Sequence, residues 1–284
     1  MKIRIFFWSI TSALAGFLFG FDTVVISGAE QTIQKLWGLS AGMHGLALGS
    51  ALYGTVLGSL LGGWPTDKFG RKSTLLFIGV LYVISALGCG FANGVGVFIA
   101  ARFIGGIGIG ISTVAAPLYI SEIAPPAYRG RLAGMFQFNI VFGIVIAFLS
   151  NAVIAHIGGE NDWRWMLGIA AVPSAIYAVM CFGLPESPRW LLSRKGDRVA
   201  GLKVLKLIEP DLSQAQLEAH ADELMTAAKS EQASASRFWT WRLRVPIFLA
   251  IMVAFFNQLS GINAVLYFAP RIFEMTGLGA KAAL

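Results

Sequence analysis

The sequence predicts an all-α membrane protein built from apolar helices. Two features of its composition support this prediction: hydrophobic residues make up 56% of the 284 residues, and charged residues only 13%. A soluble domain carries about 25% charged residues, so the composition excludes an ordinary soluble fold. The third feature is the length of the apolar runs, which matches the roughly 20 residues that a helix needs to cross a bilayer.

Seven apolar runs are long enough to be membrane spans, and turn residues or charged clusters separate them. The predicted spans are Phe6–Ala29, His44–Gly63, Ser73–Ala92, Val97–Ile120, Leu132–Ala155, Trp163–Leu184 and Val245–Ala269. We expect the first six to form one bundle over residues 1–184. We expect residues 245–284 to hold the seventh span and the start of a C-terminal bundle that is otherwise missing.

Residues 185–244 form the one long hydrophilic segment. After Gly196, apolar residues recur at helical spacing up to Ile208. Ser213 is a candidate N-cap for a second helix over Gln214–Lys229. We expect both to be amphipathic helices lying on the cytoplasmic face, followed by a linker that includes Ser230–Ser236.

Positive charge in the short loops predicts the orientation. With the N-terminus inside, the cytoplasmic side collects Lys and Arg in the ratio seven to two, as the positive-inside rule requires. We therefore expect a multi-pass protein of the plasma membrane, the inner membrane in a bacterium, with a cytoplasmic N-terminus. The net charge of +7 then comes from these loop residues of a protein embedded in the lipid bilayer, and no nucleic acid is expected as a partner.

Two charged residues lie inside apolar runs. Asp22 interrupts the first run, and Arg102 opens the glycine-rich fourth run. A carboxylate in hydrocarbon usually faces a bundle interior or a watery cavity, and a buried arginine needs an acceptor. Because Asp22 is the only acid in the neighbouring runs, we predict that the two residues pair. Such a pair indicates a transport or proton pathway.

Polar amides in the apolar runs are candidate ligand contacts. Gln137 lies in the fifth run, while Asn257, Gln258 and Asn263 cluster near Gly261 in the seventh. Each amide both donates and accepts hydrogen bonds, which suits a ligand rich in hydroxyl groups. The alternative is that the same amides only join helices to one another.

Other residue types point away from catalysis. We find no nucleophile triad, metal cluster or Walker-type loop in the sequence, so we expect neither an enzyme nor an ATP-driven pump, and no cofactor. Cys89 and Cys181 lie in apolar runs and are interpreted as packing residues. The histidines lie at predicted span ends or in polar segments and are interpreted as solvated; they are His44, His156 and His220.

The loop from Gly63 to Lys72, GWPTDKFGRK, resembles the loop between helices two and three of the major facilitator superfamily. It matches the pattern G-x-x-x-D-[RK]-x-G-[RK]-[RK] at every specified position. Five further segments narrow the resemblance to the sugar porter family of that superfamily. They are GFDTVVISGA, ARFIGGIGIG, PLYISEIAPPAYRGRL, PESPRWL and NQLSGINAVLYFAP, in the family's order along almost the whole chain.

This resemblance implies a major facilitator fold and import of a monosaccharide by proton symport through alternating access. It implies that Asp22 and Arg102 couple proton to sugar, with Phe21 in place of the family's tyrosine. With the amides named above, the implied sugar contacts are Gln137, Gln258, Asn263, Asn257 and Tyr267, although Ile144 and Asn257 replace glutamines common in the family. The implied cytoplasmic gate network is Asp67, Arg71, Lys72, Glu122, Arg129, Glu186 and Arg189.

The resemblance also implies a chain of twelve membrane helices, with the substrate bound between two six-helix bundles. We therefore expect this chain to be a fragment of a full transporter that is monomeric at full length, with the C-terminal bundle mostly absent. Two alternatives stay open. One is a facilitative sugar or polyol carrier in which Asp22 is only structural, and the other is a non-transporting, sugar-sensing membrane protein. The sequence does not predict which sugar is bound.

Overall fold

A computed structural model describes residues 3–157, 159–234 and 241–277. These residues form helices and connecting turns, and no β-strand occurs among them. Seven helical segments are long and apolar enough to span a membrane: Ile3–Gly28, Ala41–Leu61, Arg71–Gly90, Val95–Ile123, Arg129–Ile157, Asp162–Phe182 and Arg244–Tyr267. They correspond one to one to the predicted spans, so the all-α membrane fold is confirmed.

The helices are labelled in chain order. They are α1 (Ile3–Val25), α2 (Glu30–Leu36), α3 (Ala41–Leu61), α4 (Gly63–Phe69), α5 (Arg71–Gly90), α6 (Val95–Ile123), α7 (Arg129–Ile157), α8 (Asp162–Gly168), α9 (Ala171–Phe182), α10 (Pro188–Trp190), α11 (Arg198–Ile208), α12 (Gln214–Ser234), α13 (Arg244–Leu259), α14 (Ile262–Tyr267) and α15 (Ala269–Met275). Short 3₁₀ turns follow α1 at Ile26–Gly28 and precede α13 at Trp241–Leu243, and a π turn follows α10 at Leu191–Lys195.

The first six spans pack into one bundle, in which α1 lies against α7 and α3 against α6. In both contacts the helix backbones approach closely at glycine residues, because glycine has no side chain. A Cβ atom at Gly106 would overlap the backbone carbonyl of Ala51, and one at Gly20 would overlap that of Ile140. In lipid, close backbone approach is the main means by which helices associate. The glycines at four-residue spacing therefore build the bundle.

Two apolar cores stabilise the two halves of the bundle. Tyr119 and Ile123 belong to the core near the Gly63–Lys72 loop, and Trp163 and Phe98 to the core at the other end. Large apolar side chains elsewhere remain exposed on the helices, which is the surface that a membrane protein presents to lipid.

The hydrophilic segment folds into the two predicted helices, α11 and α12. Leu205 and Leu217 pack against each other's helix in a small third core. Ser213 caps α12, since its Oγ accepts from the backbone N–H of Gln216, 3.3 Å away. The linker prediction is wrong as far as Ser234, because α12 continues to that residue; the rest of the predicted linker, residues 235–236, lies outside the described residues.

The seventh span is only partly attached to the bundle. Helix α13 contains no buried residue, and it ends before Gly261, which adopts a left-handed conformation with φ 71°. Beyond this break, α14 packs against α1 and α15 packs against the 3₁₀ turn after α1. The seventh span therefore meets the bundle at its C-terminal end.

Candidate functional site

Asp22 and Arg102 form a buried ion pair between α1 and α6, the first and fourth spans. Arg102 Nη1 donates to Asp22 Oδ2 at 2.9 Å and to the backbone carbonyl of Asp22 at 3.1 Å. The Arg102 side chain is 1% exposed and the Asp22 side chain 10%. The structure thus brings together the two residues that the sequence predicts to pair.

The end of α1 explains why Asp22 can accept twice. The last four carbonyl groups of an α-helix have no partner within the helix, and α1 ends at Val25, three residues after Asp22. Arg102 takes the Asp22 carbonyl, and Asn151 Nδ2 donates to the Val25 carbonyl at 3.1 Å. Side chains from α6 and α7 thus satisfy the backbone where the first span ends.

Several buried polar groups in this region make no hydrogen bond within the described protein. They include Arg102 Nε and Nη2, the Ser85 hydroxyl and the Tyr82 hydroxyl. Ser85 and Asp22 both lie next to Gly105, at a position that a side chain would fill. Buried polar groups without partners are costly. Arg102 therefore keeps spare donors with which it can bind a second acceptor.

The structure gathers only some of the predicted sugar contacts. Tyr267 is 5% exposed and lies close enough to Arg102 for the two groups to interact electrostatically. Gln258 Oε1 accepts from Asn263 Nδ2 at 2.9 Å; Gln258 is exposed and Asn263 is partly buried. Asn257 and Gln137 are also exposed, on α13 and α7. These two helices do not pack against each other extensively.

A second cluster, the inner network, surrounds Arg71 at the predicted cytoplasmic face. Arg71 donates to both carboxylate oxygens of Glu122, with Nε to Oε2 at 2.9 Å and Nη2 to Oε1 at 3.0 Å. Its Nη1 donates to Asp67 Oδ1 at 3.2 Å, and Asp67 also pairs with Arg194. Two parallel bonds between arginine and a carboxylate are the strongest form of this contact. The network joins α4, α5 and α6.

Glu186 completes the inner network as a helix cap that the sequence did not reveal. Glu186 Oε1 accepts from the backbone N–H groups of Arg71 at 2.8 Å and Lys72 at 3.1 Å, at the start of α5. Gly70, with φ 93°, leaves room for this carboxylate. Burial raises the pKa of Glu186 above its ordinary value, while the backbone donors, among them Ser187, oppose that shift.

The remaining gate residues lie at the edge of the network. Lys72 Nζ donates to the Phe182 carbonyl at 2.8 Å. Arg189 is half-buried in α10, where its carbonyl accepts from Ser193. The resemblance grouped Glu122 with Arg129, but both Glu122 oxygens bind Arg71. Arg129 is exposed at the first residue of α7, so the grouping differs from the one expected.

A third cluster, the outer corner, lies at the opposite end and was missed by the sequence analysis. It consists of Glu30, Gln34, His44 and Arg271. The interpretation of His44 as solvated is wrong, because its side chain is buried and its Nε2 donates to the Glu30 carbonyl at 3.1 Å. His44 lies in the first turn of α3, and its side chain contacts the first residue of α2. His156 is exposed and His220, half-buried, pairs with Glu209.

Comparison with known proteins assigns the chain that carries these three clusters to a family. A family model described as "Sugar (and other) transporter" matches residues 8–284. The chain belongs to this family. It is therefore a multi-pass membrane protein of a transporter family, with the fold of a sugar porter of the major facilitator superfamily.

Curated relatives and solved structures agree with this assignment. An arabinose-proton symporter from Bacillus subtilis is 36% identical over 281 residues, which cover 96% of this chain and 60% of the relative. A glucose transporter from Staphylococcus epidermidis is 36% identical over 289 residues, covering 100% of this chain and 62% of the relative. The proton:xylose symporter XylE of E. coli, bound to 6-bromo-6-deoxy-D-glucose, superimposes with a TM-score of 0.86 at 30% identity, over 99% of this chain and 64% of XylE. The chain thus spans about three fifths of the length of these sugar transporters.

Proposed function

We propose that this chain is the N-terminal part of a transporter that imports a monosaccharide together with a proton by alternating access. The buried Asp22–Arg102 pair is the single observation that carries the proposal. An ion pair in the middle of a membrane bundle is costly and marks a site of function. Names of relatives such as the arabinose-proton symporter and the proton:xylose symporter support the same reading.

Coupling follows from the spare donors of Arg102. While Arg102 binds Asp22, the carboxylate keeps its charge in an apolar interior. When the guanidinium turns to a different acceptor, the carboxylate is left unpaired, and an unpaired charge there is very unfavourable. Proton uptake by Asp22 removes that charge. A sugar that changes the distance between the two side chains therefore changes the proton affinity of the site.

The sugar would bind on the side of the pair where Tyr267 lies. Tyr267 of the seventh span is buried near Arg102, and the amides supply donors and acceptors for hydroxyl groups. In this proposal the sugar contacts are Gln137, Gln258, Asn263, Asn257 and Tyr267. Closing of the two bundles around the sugar would bring Gln137 and the amides of α13 to the same ligand.

The inner network would close the cytoplasmic face in this proposal. Its carboxylates and arginines hold the ends of α4, α5 and α6 together, and Arg129, Arg189 and Lys72 lie at its edge. The proposal includes a cytoplasmic N-terminus, residues 185–244 on the cytoplasmic side, and a monomeric transporter in a plasma membrane. The loop charges support this orientation through the positive-inside rule.

Replacing the proton site tests the proposal. The complete gene product, reconstituted in proteoliposomes with an inward proton gradient, is expected to accumulate labelled pentose or hexose. Asp22→Asn should reduce accumulation to equal concentrations on both sides while sugar exchange between the two sides continues. Asp222→Asn is the matched control, since Asp222 is an exposed residue of α12, and it should leave accumulation unchanged.

Continued accumulation by Asp22→Asn would refute proton coupling at this site. The pair would then be structural, as in a facilitative carrier. Sugar binding with no flux in the unmodified protein would instead favour a sensor.

A further inference from the structure

Glu30 is the least expected charged residue of the outer corner. It begins α2, just beyond the first span, and its side chain is 0% exposed. Its Oε2 accepts from Arg271 Nη2 at 2.9 Å, and its Oε1 has no hydrogen-bond partner within the described protein. Burial raises the pKa of Glu30 above its ordinary value, and Arg271 is the main group that opposes this shift. The Glu30 carboxylate thus relies on Arg271 for its charge to be stabilised.

Other residues hold Glu30 and Arg271 in place. His44 donates to the Glu30 carbonyl and lies 3.3 Å from Glu30 Oε2, which fixes the start of α2 on α3. Arg271 Nη2 also donates to Gln34 Oε1 at 2.8 Å. Beside this pair, Gln31 donates to Glu274 Oε2 at 3.0 Å. Two consecutive turns of α2 therefore bind one face of α15.

These bonds join the six-span bundle to the segment that follows the seventh span. Glu30, Gln34 and His44 belong to the six-span bundle, whereas Arg271 follows the seventh span. Since α13 buries none of its residues, the main contacts between the described part of this segment and the bundle come from α14 and α15. Any movement that separates α15 from α2 must break the Arg271 contacts and leave the buried Glu30 carboxylate without its cation.

We propose that Arg271 and Glu30 form a latch that closes the predicted outer face, with His44 positioning Glu30 and Gln34 supplying a second acceptor. The latch deepens the proposed function, since it gives alternating access a specific contact that must open to admit sugar from outside. The cation of the latch is the Arg271 side chain, which is 37% exposed. The contact can therefore break without unfolding the bundle.

A distance measurement tests the latch without measuring transport. Spin labels at Leu36→Cys on α2 and Met275→Cys on α15 would sit at exposed positions, and the native Cys89 and Cys181 are buried. In the complete gene product in nanodiscs, pulsed electron spin resonance should show mostly short distances. Arg271→Gln should raise the ratio of long to short distances about tenfold, as expected when a hydrogen bond to a charged group is lost. Arg271→Lys should restore much of the short-distance population.

Three comparisons decide the outcome. Arg244→Gln is the matched control, because it makes the same change at an exposed arginine at the opposite end of the seventh span, and it should leave the distances unchanged. Glu30→Gln and Arg271→Gln should not be additive in the double variant, since both break one contact. The latch is refuted if Arg271→Gln leaves the distances unchanged, if Arg244→Gln lengthens them equally, or if the effects of Glu30→Gln and Arg271→Gln add. Because Asp22 is not altered, these results stand apart from the test of proton coupling.

Discussion

The inner network and the outer corner use the same chemistry for different purposes. Each pairs a buried glutamate with an arginine, Glu122 with Arg71 and Glu30 with Arg271. Arg71 is 7% exposed and binds helices that all belong to the six-span bundle, whereas Arg271 is 37% exposed and joins that bundle to the seventh span. Among the described residues, the inner pair therefore joins helices of one bundle, and the outer pair joins that bundle to the seventh span.

Burial determines how much each pair contributes to stability. Removing one partner of a buried pair leaves an uncompensated charge, which costs several kcal/mol, while an exposed pair contributes little. The outer pair combines a fully buried acid, Glu30, with a partly exposed base, Arg271. Arg271 can return to water when α15 leaves the bundle, which lowers the free energy needed to open the contact. This difference in burial suits a contact between two parts that move apart.

The same substitution at both ends should give the largest difference. Arg71→Gln is expected to lower the free energy of unfolding of the bundle by about 3–5 kcal/mol, because the buried Glu122 carboxylate loses its cation. Arg271→Gln should lower it by less, about 1.5 kcal/mol, the low end for a hydrogen bond to a charged group, because the Glu30 carboxylate can gain water when α15 moves away. Unfolding by SDS titration in mixed micelles measures both. Equal losses would contradict the difference drawn between the two ends.

Glycine substitutions should give a smaller difference in the same direction. Gly70→Ala combines a positive φ with overlap on the Glu186 carboxylate, so it should cost about 1–3 kcal/mol. Gly261→Ala also has a positive φ, but no atom lies within 4 Å of the added methyl group. It should cost about 1 kcal/mol of left-handed strain in the seventh span and leave the bundle unaffected. SDS titration again provides the comparison, and a Gly261→Ala loss as large as that of Gly70→Ala would show that Glu186 does not matter.

Sequence reasoning predicted the inner network because its residues lie in short, contiguous patterns. The GWPTDKFGRK loop brings Asp67 and Arg71 one helical turn apart, and the resemblance supplied Glu122 and Glu186. The sequence did not reveal that Glu186 caps α5, because this capping depends on how the segment before α10 folds back onto Gly70. It also did not foresee that Glu122 would bind Arg71 with both oxygens and leave Arg129 outside.

The outer corner could not be predicted in the same way. Its residues come from positions 30, 34, 44 and 271, and only the folded chain brings them together. His44 looked solvated because it begins a span, where histidine usually meets water or headgroups. The helix lengths, by contrast, followed directly from the apolar runs, because the thickness of the bilayer fixes the length of a span. The ion pair of Asp22 and Arg102 was predictable because hydrocarbon offers each residue so few alternatives.

Proton movement with sugar is the most direct test of symport. In weakly buffered proteoliposomes that contain the complete gene product and no imposed gradient, sugar added outside should make the external medium more alkaline as protons enter with it. Asp22→Asn should abolish the alkalinisation and preserve sugar entry down its gradient. Sugar entry by the unmodified protein with no change in external pH would contradict proton coupling at the Asp22–Arg102 pair.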